Sequence, residues 1–429
     1  MNFNGLSIEQ APPISAPLRF YLTAPLFAIV AGFLILFSDT TVLMSRYSID
    51  SIIITHALTI GFLSFIMLGS LSQMLPVLAG VVIPKVDLVT KVSHGFLVLG
   101  TVFMLLGLSY DNSQFNTIAL IGLGIGFLMI IGVIFLSVTR VKNFTPTVKA
   151  MAASLFFVFF VVLMGLFLLY SYVDDTYAYL RPLIANIHSV WGIFGFGGIL
   201  IIGVSFQVLP MFYVAPKFKQ FCKKKVVWII SIGLFVWLGL NIFYDVYALL
   251  AKLWIATFFW AFATSVWKKL SARRRPISDT TVWYWRASSV FLTLGSFLWI
   301  FDEYFKNEYI VMVAILIGGG FIMSIMIGML YKVVPFLVWF HLNGMGYMNI
   351  PTINEMINKK LARIQFVLFI ASLVGFIFAF YYPMVLKISA ISFIISMIIL
   401  EYNIIAPALI YSKIKKTKPD FDMNTFATI

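Results

Sequence analysis

Charged residues are scarce in this chain of 429 residues, because aspartate, glutamate, lysine and arginine together make up only 11% of it. Soluble domains carry about 25% charged residues, whereas hydrophobic residues reach 62% here. The composition therefore predicts a polytopic membrane protein. The chain also has a single cysteine, Cys222, and four histidines. One cysteine excludes an intramolecular disulfide, a CxxC redox motif and a zinc–cysteine cluster.

Long apolar runs take up most of the sequence. Twelve of them approach or exceed the length of about 20 residues that crosses a bilayer. They cover residues 19–39, 51–82, 90–109, 116–139, 148–172, 182–213, 226–245, 247–267, 283–301, 309–340, 362–381 and 384–411. We therefore predict an all-α protein with twelve transmembrane helices in one transmembrane domain over residues 1–429. Residues 1–17 form a cytoplasmic arm in this prediction, and residues 414–429 form a cytoplasmic tail.

The basic residues gather in alternate loops. Most lysines and arginines follow segments two, four, six, eight and ten or lie in the tail, whereas the opposite loops hold few of them. The positive-inside rule then places both termini in the cytoplasm. The net charge of +14 is thus an insertion signal. We expect the lipid bilayer as a partner and do not expect nucleic acid.

One short pattern occurs three times, at the ends of the three longest segments. Each copy runs from a glycine to a proline, over residues 69–76, 203–210 and 328–335. The fifth position of the pattern is Gln73, Gln207 and Lys332 in turn. The spacing predicts three tandem four-helix repeats, at about 18–142, 143–276 and 277–413. Parallel repeats of this kind surround an axis along the membrane normal, which predicts a quasi-threefold ring with segments two, six and ten inside.

Two of the four histidines lie at similar depths on equivalent segments. His56 and His188 come 20 and 22 residues before the prolines that end the first two copies of the pattern. An ionisable side chain inside a membrane is a functional candidate by default, and neutral imidazole is the commonest metal ligand. We identify both residues as candidate cofactor or metal ligands. The alternative is a pair of structural histidines that form hydrogen bonds between helices.

Two charged side chains lie well inside the predicted spans. Lys332 is in segment ten and Glu401 is in segment twelve, at similar depth. An isolated buried charge is costly, so we predict that Lys332 and Glu401 form a buried ion pair. The pair would be a structural contact or a station in a proton path.

The arrangement of twelve helices, quasi-threefold symmetry and histidines on the second and sixth segments resembles the catalytic subunit of the haem-copper oxidase superfamily. The stretch from His188 through the glycine-rich middle to Pro210 is similar to the sixth helix of its cbb3-type and nitric-oxide-reductase branches. The stretch from His56 to Pro76 is similar to its second helix, and with residues 17–20 it also resembles the NnrS group. The resemblance implies haem b, or copper as the alternative, held by one or both of His56 and His188, in a bacterial inner membrane.

The sequence departs from that family at the binuclear centre. Segment seven has no histidine pair for copper, and the outer half of segment ten has no histidine. We therefore expect neither a full terminal oxidase nor a nitric oxide reductase. The resemblance implies a haem- or copper-binding protein in nitric oxide tolerance or respiratory stress, with a respiratory or redox membrane partner. A metal-free channel or transporter, and an assembly or scaffold partner of a respiratory complex, are the alternatives.

Overall fold

The computed structural model describes residues 10–274, 279–305 and 308–421. Over these residues the chain forms twelve long helices. They are α1 (Ser15–Phe37), α2 (Ile49–Ala79), α3 (Val86–Ser109), α4 (Ser113–Val138), α5 (Pro146–Tyr170), α6 (Asp175–Tyr213), α7 (Gln220–Phe243), α8 (Ala248–Ser271), α9 (Thr280–Phe301), α10 (Ile310–Gly344), α11 (Lys359–Phe378) and α12 (Val385–Ile414). The all-α prediction is confirmed. Much of the predicted arm and tail, and the predicted repeat boundary at residue 276, lie outside the described residues.

Eleven of these helices are long and apolar enough to cross a membrane, which supports a multi-pass membrane protein. The helix outside this group is α9, whose 22 residues include Arg286 and several serines and threonines. Its polar residues face inward, since Ser288, Ser289 and Ser296 are all buried. The ninth predicted segment is thus a helix in the bundle, although its composition is less apolar than that of the other eleven.

The helices pack mainly as antiparallel neighbours along the chain. Close pairs include α3 with α4, α11 with α12, α4 with α5, and α8 with α9. The first and last helices, α1 and α12, also pack along each other. The two ends of the helical domain are therefore neighbours in space. We call the end of the bundle where α1 begins the basic end, because its loops hold most of the lysines and arginines.

Three helices contain a π-helical stretch, and they are the three that hold the repeated sequence pattern. The stretches are Ala57–Ser64 in α2, Trp191–Gly198 in α6 and Ile315–Met323 in α10. A proline lies inside each helix further along, at Pro76, Pro210 and Pro335. π-Helical turns are rare overall and frequent at functional sites, so the side chains beside these stretches are candidates for a site.

One glycine in each π-helical stretch lies in close contact with a phenylalanine of a neighbouring helix. Phe27 of α1 lies against Gly61, and Phe157 of α5 lies against Gly195. Phe291 of α9 lies against Gly320 in the same way. A Cβ atom on any of these glycines would overlap the phenylalanine side chain. Small residues allow this close approach of membrane helices.

We expect Gly195→Ala to destabilise the protein by about 1–3 kcal/mol, because the added methyl overpacks the contact with Phe157. The matched control is Gly239→Ala on α7, where an added Cβ meets no atom within 4 Å. Thermal unfolding in detergent measures the difference. Equal melting temperatures for the two variants would contradict the close contact.

Candidate functional site

The imidazole rings of His56 and His188 face each other across the junction of α2 and α6. Their ring centroids are 6.1 Å apart and their planes differ by 28°. His56 immediately precedes the π-helical stretch of α2, and His188 lies three residues before that of α6. The structure thus brings together the two histidines that the sequence singled out.

Each imidazole is anchored through the same ring nitrogen. Nδ1 of His56 lies 2.7 Å from the carbonyl oxygen of Ile52, and Nδ1 of His188 lies 2.9 Å from that of Val161. A carbonyl oxygen only accepts, so both Nδ1 atoms donate. This leaves Nε2 of each ring as the atom for a ligand, and a backbone carbonyl on the other nitrogen is the usual support of a metal-binding histidine. Gly165 makes room for the His188 ring, since a Cβ there would lie 3.1 Å from Cε1.

Both rings line a cavity of about 510 Å³ near the end of the bundle opposite the basic end. This volume lies in the range of small-molecule and cofactor pockets. The walls are mostly isoleucine, leucine, valine, methionine and phenylalanine, and glycines open part of the wall. At Gly318, an added Cβ would meet no atom within 4 Å. The described walls include no aspartate or glutamate.

The polar side chains of the described cavity wall are basic or neutral. Arg46 and Arg181 both contribute to the wall, as do Asn186 and Ser189. Arg46 donates to Oγ of Ser189 at 3.3 Å. Burial lowers the pKa of Arg46, while Tyr47 and Asp302 oppose this shift. A partly buried guanidinium with one long hydrogen bond to a hydroxyl has capacity left for an anionic group.

Arg181 is held more firmly than Arg46. Its Nε donates to Oγ of Ser171 at 2.8 Å, and its terminal nitrogen lies 2.6 Å from Oδ1 of Asp175. Its guanidinium also lies over the ring of Tyr172, 4.3 Å from the centroid. The guanidinium of Arg181 is therefore fixed in position at the wall of the cavity, with its charge paired by Asp175.

The prediction of an ion pair between Lys332 and Glu401 is wrong. Lys332 instead forms an ion pair with Asp279, the residue that caps the start of α9. Burial would raise the pKa of Asp279, but the Lys332 ammonium and the hydrogen bonds from Lys332 and Thr281 together lower it. The prediction considered only charges inside the apolar segments, and Asp279 lies just before one.

The other residues of the repeated pattern do not join the cavity. Gln73 is buried, and its side-chain oxygen has no hydrogen-bond partner among the described residues. Gln207 is half-buried. The remaining histidines lie elsewhere: Nε2 of His94 is 2.9 Å from the hydroxyl of Thr23, and His341 packs against Phe340. Neither these two glutamines nor these two histidines line the cavity.

Arg46 and Arg181 are site residues that the sequence does not single out. In the sequence they are only loop charges on the poorly basic side of the membrane. The sequence nevertheless marks these two arginines, because the positive-inside bias leaves few basic residues on that side of the membrane.

No protein-family model matches the chain, and no curated protein is significantly similar to it.

A double-mutant cycle tests the corrected ion pair. We expect Lys332→Met and Asp279→Asn each to destabilise the protein, and the double variant to lose less than the sum, with a coupling of about 0.5–3 kcal/mol. The matched cycle of Lys332→Met with Glu401→Gln should show no coupling. Unfolding in detergent measures both cycles, and coupling of Lys332 to Glu401 alone would contradict the pairing with Asp279.

Proposed function

We propose that this chain is a haem-binding integral membrane protein on an oxidase-like scaffold that lacks the binuclear centre. His56 and His188 are the axial ligands of haem b in this proposal. The observation that carries it is the facing of two imidazoles, each anchored through Nδ1, across an apolar cavity.

The separation of the two rings suits one metal ion between them. Imidazole nitrogen binds metals such as zinc at about 2 Å, so two rings on opposite sides of one ion have centroids roughly 6 Å apart. The observed separation is 6.1 Å. The separation therefore leaves room for one ion between the rings, which would bind it through Nε2 after turning those edges toward it.

The number of ligands favours haem over a bare copper ion. No group of three or more histidine, cysteine, aspartate or glutamate side chains suitable for a metal occurs among the described residues. A bare ion at this site would have only two such ligands from the protein. A porphyrin brings four nitrogens of its own, so two axial histidines complete the coordination of its iron.

The cavity also suits the rest of the cofactor. Its apolar walls match the faces of a porphyrin, and the open wall at Gly318 leaves room for a flat group. Arg46 and Arg181 are the residues that would pair with the haem carboxylates. Bound haem supplies one-electron redox chemistry. The proposed role is that of an electron carrier, in which His56 and His188 would hold the haem and a redox membrane partner would exchange electrons with it.

The setting in nitric oxide tolerance or respiratory stress rests on the sequence resemblance alone. We also propose the predicted scaffold: twelve spans in three tandem units around a quasi-threefold axis, both termini cytoplasmic, in a bacterial inner membrane. The packing of α12 on α1 and the three π-helical stretches support the ring. In each of the three helices, the glycine that contacts phenylalanine lies at the same distance before the internal proline.

An absorbance spectrum of the purified protein tests the haem proposal. We expect a Soret band in the wild type, and its loss or large shift in both His56→Ala and His188→Ala, because each change removes one axial ligand. His341→Ala is the matched control, since this histidine lies away from the cavity, and its spectrum should be unchanged. A stable wild-type preparation without haem would overturn the proposal and leave the channel, transporter and scaffold alternatives.

Filling the cavity offers a test that leaves both ligands in place. We expect Gly318→Phe to lower the haem content of the purified protein severalfold, because the ring would take up space in the cavity. The control is Gly239→Phe, at a glycine that is equally uncrowded but outside the cavity. Haem is measured as a pyridine complex against protein concentration. Full haem content in Gly318→Phe would place the cofactor elsewhere.

A further inference from the structure

Glu401 lies outside the candidate cavity, in the half of α12 that leads to the basic end. It is sixteen residues after Val385 and thirteen before Ile414. The backbone N–H of Asn358, which caps α11, donates to Oδ1 of Asn403 at 3.1 Å. Glu401 is two residues further into the bundle than Asn403, which is about 3 Å along the helix axis. Its carboxyl group is therefore inside the apolar span but close to the basic surface.

The carboxyl group of Glu401 has no polar partner in the described part of the chain. Its Oε2 atom is buried and receives no hydrogen bond. Lys332, the expected cation, is bound to Asp279 instead. The other described ion pairs also exclude Glu401. An unpaired carboxylate in such surroundings is unfavourable, whereas a protonated carboxyl group does not carry this desolvation cost.

Helices α1, α10 and α11 pack against α12, and they carry several titratable or charged groups toward the basic end. These groups are Arg19, Tyr21, Tyr331, Lys332, His341, Lys359, Lys360 and Arg363. None of them forms a described hydrogen bond or ion pair with Glu401. Among these described groups, no other cation therefore replaces the missing salt-bridge partner of Glu401.

The position of Glu401 on α12 is at the edge of the outward face. Ile398 and Tyr402 are 50% and 60% exposed, whereas Leu400 and Ile404 are buried. Glu401 itself is half-buried. One side of the residue is therefore open to the surroundings of the bundle, so a small apolar reagent can reach the group without unfolding.

We infer that Glu401 is a proton-binding site that is separate from the haem site and is occupied by a proton at neutral pH. The group exchanges this proton with the basic end of the bundle, to which it lies close. No bond other than O–H forms or breaks in this step, and the proton comes from water. The site requires only the unpaired, part-exposed carboxyl group and does not depend on haem binding.

Labelling of the full-length protein in detergent with dicyclohexylcarbodiimide tests this site. The apolar reagent reacts with protonated carboxyl groups in apolar surroundings, and peptide mass spectrometry finds the modified residue. We expect Glu401 to be labelled at neutral pH about tenfold or more above Glu303, with labelling falling as the pH is raised, since one pH unit changes protonation tenfold. Glu303 is the matched control because it is paired with Lys252. Equal, measurable labelling of the two residues, or labelling of Glu401 that does not depend on pH, would overturn the site.

Infrared spectroscopy decides the case in which the reagent fails to react. The wild type at neutral pH should show the carbonyl band of a protonated carboxylic acid that is missing from Glu401→Gln. Identical spectra in this region would overturn the inference. The melting temperature of Glu401→Gln should equal that of the wild type, because glutamine resembles the neutral acid, and a marked decrease would also count against it.

Discussion

The close contact between three glycines and three phenylalanine side chains fixes where the inner helices lie. Gly61, Gly195 and Gly320 each fall within a π-helical stretch, and each lies against an aromatic ring of α1, α5 or α9. A π-helical turn holds an extra residue, so it changes the direction in which the side chains before it point relative to those after it. His56 and His188 are next to these turns. The facing of the two imidazoles therefore depends on the same local backbone that makes the glycine contacts.

The helices and their ends are largely predictable from the sequence, because hydrophobic length in a membrane is a strong constraint. The similar depth of His56 and His188 could also be predicted, since each comes about twenty residues before the proline of its copy of the short sequence pattern. The direction in which each ring points could not be predicted, because a π-helical stretch rotates the helix and the hydrophobic periodicity of the sequence does not reveal this rotation. The anchoring of Nδ1 on the carbonyl groups of Ile52 and Val161 likewise depends on how the helices meet.

Charges are harder to place from the sequence than apolar residues. Lys332 reaches Asp279 at the start of α9, so its partner is a loop residue near the basic end. A lysine side chain is long enough to move its charge away from the level of its own Cα atom. A prediction that compares only the depths of the Cα atoms of Lys332 and Glu401 does not take this side-chain length into account. Arg46 lines the cavity for a different reason, because Thr40, Leu43 and Met44 of the same connection between α1 and α2 line it too.

The third inner helix clarifies what the cavity can do. Where α2 and α6 contribute histidines, α10 contributes Val313 and Ile315 to the wall. An apolar third side cannot bind a bare metal ion, nor can it hold a second metal beside the first. It does suit the face or edge of an apolar ring system, which needs contact rather than coordination. The histidine of α10, His341, lies in the last turn of that helix and outside the described wall, so α10 offers no imidazole to the cavity.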